Sequence, residues 1–207
     1  MSQPVSASRR PSGTAGPTHP ATTAFHGPVE AGPGVLVHPG SDRSAGAASW
    51  LILAARDADE ARREWATHGL ALLRCGTLFT AVRIPADIVL AAAGTTDRAE
   101  LAAYLTTALD GGPCFYDSGS QSFYALTPRS AAPRWDVPDT ELLSGDDRFL
   151  GVPATTLTAP DPQCAAHWVV PMDGPAALCD PGIVRWLVQR GRFRRSENAI
   201  EKAAEDA

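Results

Sequence analysis

The chain has 207 residues, 44% apolar and 20% charged, with a formal net charge of −5; this balance fits one globular domain plus a tail and argues against a protein built mainly as a nucleic-acid clamp. No apolar run approaches the roughly 18–20 residues of a membrane span, and the polar opening MSQPVSASRRPSGTAG lacks the apolar segment of a secretory leader. The four cysteines are scattered with no CxxC pair, which fits a cytoplasmic setting with reduced thiols.

Residues 1–45 repeat Pro, Gly, Ser, Thr and Ala with almost no apolar periodicity. Such a segment buries too little surface to offset its chain entropy, so it reads as a disordered arm, in which residues 35–37 offer at most a short edge strand. From Ser49, the apolar residues Trp50, Leu51, Leu53, Ala61 and Trp65 fall near helical spacing, predicting one helix that stops at Gly69. Two short strands follow at 70–73 and 78–84, with Gly76 at the turn between them. Residues 86–93 read as a helix stopped by Gly94, and Thr95 or Thr96 as the cap of another helix running to Leu109.

A turn at 110–113 leads into a hairpin of residues 114–116 and 121–126. Of its aromatics Phe115, Tyr116, Phe123 and Tyr124, alternation turns one Phe/Tyr pair inward and leaves the other toward solvent or a partner, where it can stack on bases. Residues 127–148 are irregular apart from a helical turn near 140–143. Short strands are expected at 149–152, 155–157 and 168–170, and a last helix at 181–189 that begins on Pro181. The domain therefore spans 46–191, with a charged tail at 192–207, and the order of elements predicts α+β rather than regular βαβ alternation.

Few residues suggest chemistry. Asp87 is placed to serve a helix N-terminus, Asp117 a hairpin turn, and Asp146 and Asp147 a solvated loop. Cys164, His167 and Cys179 form a metal-like grouping that lacks the second close pair of a structural zinc site. Cys75 has only His68 near it in sequence, so buried or idle thiols are the preferred reading. The main charge feature is Arg185, Arg190, Arg192, Arg194 and Arg195, five arginines in eleven residues. They are the candidate nucleic-acid contacts, set against the plainer reading of helix C-terminal charge paired with Glu197, Glu201 and Glu205.

A Trp-bearing helix (Trp65), the Leu-Leu-Arg-Cys-Gly-Thr turn, Val-Arg-Ile-Pro, an Ala/Leu helix, a Gly-Gly-Pro-led hairpin ending Leu126-Thr127-Pro128, and a late Trp168-Val169-Val170-Pro171 follow in order. Over residues 48–191 this order resembles the N-terminal domain of actinobacterial bifunctional DNA primase/polymerases in a shortened, stand-alone form. The resemblance implies a mixed sheet flanked by helices. It further implies an Asp-x-Asp pair for Mg²⁺ or Mn²⁺ on the strand after the Cys-Gly turn, and a phosphate-contacting His on the hairpin. Here the strand reads Phe79-Thr80-Ala81-Val82-Arg83-Ile84-Pro85, without an acid, and the hairpin residues 120–126 contain no His. Since phosphoryl transfer depends on metal ions held by carboxylates, the expectation is a non-catalytic domain, without a cofactor, that binds nucleic acid or a protein partner. The alternative is an active nucleotidyltransferase with displaced acids and Mg²⁺ or Mn²⁺.

Overall fold

The computed structural model describes residues 28–37, 40–145 and 147–205. Residues 1–27, 38 and 39 of the expected arm, Asp146, and residues 206–207 of the expected tail lie outside the described residues. The described residues of that arm take up regular structure. Strands β1 (Val29–Gly32) and β2 (Val35–Val37) form a hairpin whose Gly34 amide donates to the Glu30 carboxylate at 3.0 Å. Helix α1 (Gly40–Leu51) follows and buries Ala47 and Leu51 completely. Small residues carry most of this helix, so a count of large apolar residues underweights it.

The single helix expected from Ser49 to Gly69 is interrupted. A 3₁₀ turn at Ile52–Ala54 is followed by extended backbone, and α2 starts afresh at Ala58–His68. Asp57 causes the break: its carboxylate accepts the amides of Asp59 and Glu60 at 2.8 and 2.9 Å, capping a new helix rather than continuing the old one. Gly69 closes α2 with a left-handed φ of 71°.

Strands β3 (Leu70–Arg74) and β4 (Thr80–Pro85) are adjacent in sequence but lie in different sheets. β3 pairs antiparallel with β8 (Phe149–Pro153), from Leu70↔Pro153 to Arg74↔Phe149. The crossing between sheets passes through Gly76, at φ 99°, where an added Cβ would sit 2.5 Å from the Gly145 nitrogen. Helix α3 (Ala86–Ala93) ends on Gly94, and α4 (Arg98–Ala108) is capped by Asp97 instead of a threonine. Thr95 supports that cap, accepting the Asp97 amide at 3.1 Å and donating to Glu100 at 2.6 Å.

The hairpin of β5 (Cys114–Asp117) and β6 (Ser122–Thr127) forms as expected, with Asp117 accepting the Gly119 amide in its turn. Where a helical turn was expected, β7 (Glu141–Leu143) joins the outer edge of β4. Its approach is fixed by the Trp135 indole N–H donating to Thr140 at 3.1 Å. Residues 155–157 form a turn, not a strand, closed by the Leu157 amide on the Ala154 carbonyl. After β9 (Ala166–Val170), α5 runs from Pro181 to Glu205, so the residues assigned to a tail at 192–205 extend the last helix.

The five-stranded antiparallel sheet, in order β7-β4-β6-β5-β9, is the middle of three layers. Leu51, Leu73, Phe79, Phe115 and Trp168 fill one side, against α1, α2 and the β3–β8 pair. Ile84, Ile88, Leu105, Leu109 and Leu187 fill the other, against α3, α4 and α5. The fold is α+β, as the sequence indicates. Of the hairpin aromatics, Phe115 stacks on Tyr124 at 5.0 Å in one core layer, and Tyr116 leans on Phe123 at 4.9 Å on the other face of the sheet. On that second face Phe123 is nearly buried and Tyr116 half-buried, and both border a cleft rather than open solvent.

Candidate functional site

β4 carries Arg83 where the resemblance calls for acids. Its guanidinium donates to the Ser122 hydroxyl at 3.1 Å and lies 3.6 Å from Glu141. A cation paired with the nearby carboxylate does not fit a divalent metal, so these residues do not make the implied centre. Elsewhere, Asp87 and Asp139 converge, but on Arg195, which donates to each at 2.8 Å. Asp87 sits in the first turn of α3, as expected, but it ties that helix to α5.

That bond belongs to a wider pattern among the candidate arginines. Arg192 donates to Asp139 at 3.1 Å, and Arg194 lies 3.7 Å from Glu197. Arg185 donates to the Arg134 carbonyl and sits 5.7 Å over the Trp135 ring. Arg190 reaches the Ala92 carbonyl and covers Trp186 at 5.6 Å. All five guanidiniums therefore have partners within the fold, and Arg185, Arg192 and Arg195 are turned toward the body of the domain. Arg192 and Arg195 hold the carboxyl of Asp139 below the ordinary carboxylate range, chiefly through the hydrogen bond from Arg192 and then that from Arg195.

The cysteines are all buried. Burial pushes Cys75 and Cys179 up to about 12. The Cys164 and Cys179 thiols donate to the Ala166 and Pro113 carbonyls. Among the described residues, no three His, Cys, Asp or Glu side chains gather as a metal site.

Two features escaped the reading of the sequence. The first is a cleft of about 650 Å³ between α4 and the β6–β5–β9 side of the sheet. Its floor includes Leu90, Leu101, Tyr116, Phe123 and His167, and its rim carries Arg98 and Gln121. Cross-strand pairing builds the floor: Phe123 lies opposite Tyr116, which lies opposite His167. His167 is 8% exposed and meets Tyr116 edge-on at 6.0 Å. Burial, and then the charge of Arg98, hold it below the usual histidine range.

The second feature is the outer face of α5. Val184, Leu187, Val188 and Gly191 are buried along one side of that helix. Trp186, Phe193 and Ile200 lie on the opposite side, exposed by 53%, 64% and 70%. Their spacing of seven residues aligns them within two-turn steps, a regularity visible in the sequence but masked by the arginines between them. Among the described residues, no helix is long and apolar enough to cross a membrane.

Compared with family models, curated proteins and solved structures, the chain finds no match in any of the three.

Proposed function

We propose that this chain is a non-catalytic, primase/polymerase-like binding module whose partner is protein, docked on the outer face of α5. The observation that carries this reading is the Trp186–Phe193–Ile200 stripe, opposite the helix's own buried face. Large aromatic side chains aligned in water are the usual anchors of an interface. The arginines that favoured nucleic acid are instead engaged by Asp87, Asp139, Glu197, backbone carbonyls and indole rings.

The occupant that fits is α5 of a second copy. In an antiparallel pair centred on Phe193, Trp186 of each copy lies level with Ile200 of the other. Arg190 then falls within one residue of the level of Glu197 across the two-fold axis, and the reverse contact follows by symmetry. Covering these six side chains removes on the order of 600 Å² of surface, the scale of a weak, reversible interface.

Sedimentation velocity over a range of concentrations tests this directly. The expected result is a monomer–dimer equilibrium that Phe193→Glu abolishes without lowering the melting temperature, because Phe193 faces water. A wild-type chain that stays monomeric at about 100 μM, the range a weak interface of this size demands, overturns the self-pairing. Salt-sensitive binding of single-stranded DNA, lost on Arg190→Ala and Arg194→Ala, would replace the protein reading with the nucleic-acid one.

A further inference from the structure

The cleft beside α4 lies away from the outer face of α5 and has its own chemistry. Its volume of about 650 Å³ falls within the range of small-molecule sites. The floor is aromatic and aliphatic, which suits a flat apolar body. His167 is 92% shielded, and its imidazole touches Tyr116 edge-on but has no hydrogen-bond partner among the described residues. Its ring nitrogens are not sealed in the core, and the side chain lines the cavity, so the imidazole is free to hydrogen-bond a ligand seated there.

The rim adds charge. Arg98 spends one guanidinium nitrogen on the Thr158 carbonyl at 3.0 Å, leaving further donors of its planar fork. It stands in the first turn of α4, where amide N–H groups lack intrahelical acceptors and the helix favours negative charge. The acid at the rim, Asp97, is directed to its own helix, accepting the Glu100 amide at 2.9 Å.

We infer that this cleft binds a small aromatic anion, its ring laid on Phe123, Tyr116 and Leu101 and its carboxylate or sulfonate held by Arg98. His167 supplies a hydrogen bond to a polar substituent on the buried part of the ring. The aromatic floor selects the ring, and the single cation at the mouth fixes its direction of entry.

The test uses 8-anilinonaphthalene-1-sulfonate as the anionic probe and N-phenyl-1-naphthylamine as its uncharged counterpart, followed by fluorescence. Both are titrated into the Phe193→Glu chain, which removes the aromatic centre of the exposed α5 stripe as a competing site. The expected result is saturable binding at one site per chain, with the sulfonate preferred. Arg98→Gln should weaken the sulfonate about tenfold, the scale of one lost charge-assisted hydrogen bond, and leave the neutral probe within about twofold. Arg98→Lys should restore most of the difference. Ala102→Trp, placed on the cleft wall, should abolish binding of both probes while circular dichroism stays unchanged. Unsaturable binding, binding that survives Ala102→Trp, or equal loss of both probes in Arg98→Gln would overturn the assignment.

Discussion

Gly191 is the point at which α5 touches α3, and replacing it with alanine should separate the two helices. A Cβ at this position would lie 2.1 Å from the Ile88 carbonyl oxygen, 2.7 Å from its Cγ2 and 2.9 Å from its carbonyl carbon. The obstacle is chiefly backbone, so no rotamer change relieves it. Relief requires α5 to lift by about 1 Å, loosening Ile88, Val184, Leu187 and Val188, all fully or almost fully buried. Overpacking of this kind costs roughly 1–3 kcal/mol, and contact with backbone places it near the upper end. Alanine returns about 1 kcal/mol through its better helix propensity, so the net loss is about 2 kcal/mol. For a domain of this size that corresponds to a fall of about 4–8 °C in melting temperature. Urea unfolding followed by tryptophan fluorescence measures the free energy, with Gly46→Ala as the contrast. Gly46 also lies in a helix, but its added Cβ would meet only the Pro175 ring at 3.4 Å, so that variant should gain up to about 1 kcal/mol. A Gly191→Ala chain as stable as wild type would refute the close α3–α5 crossing.

Two further outcomes follow from the paired charges and the thiols. The Asp139 carboxyl is held below its ordinary value by Arg192 and Arg195, so the unfolded chain takes up its proton first as pH falls. Its contribution to stability is therefore complete above about pH 5 and disappears as pH drops past the ordinary carboxylate value and through the lowered one. The gap in urea midpoint between wild type and Asp139→Asn should narrow over that acid window, and a constant gap down to pH 2.5, roughly the bottom of that window, would remove the ion pairs from the account. The thiols should be inert in the native state, since all four are buried and burial pushes Cys75 and Cys179 up to about 12. Ellman's reagent should react with them only after denaturant is added; rapid reaction of any one in the native protein would contradict its place in the core.

The elements legible in the sequence are those whose signals are local. Asp117 and Gly119 mark the β5–β6 turn, Gly94 stops α3, and Pro181 opens α5; each acts within a few residues of itself. The partnerships of strands are different. β3 reads as the neighbour of β4, yet its register is set by Phe149–Pro153, because the turn at Gly76 is occupied by the Gly145 backbone and carries the chain out of the first sheet. β7 is three residues long, too short to display any period, and exists because β4 has an open edge.

The same division separates the candidate sites. Five arginines in a short segment are conspicuous in sequence, but what they do depends on acids far along the chain: Arg195 meets Asp87 across 108 residues and Asp139 across 56. Those contacts turn an apparent phosphate-binding cluster into the fastening of α5 to the body of the domain. The cleft has the opposite history. Arg98, Tyr116, Phe123 and His167 are individually unremarkable, and His167 stood out only as part of an incomplete metal grouping with Cys164 and Cys179. Their meeting requires the β5–β6 hairpin register, the β5–β9 pairing and the placement of α4 over both. A pocket that needs the β5–β9 pairing and the placement of α4 on top of a local hairpin leaves no spacing to read, whereas the Trp186–Phe193–Ile200 stripe, confined to one helix, recurs in steps of seven beneath the more conspicuous arginines. Its face is known only once Val184, Leu187 and Gly191 are seen to be buried on the opposite side.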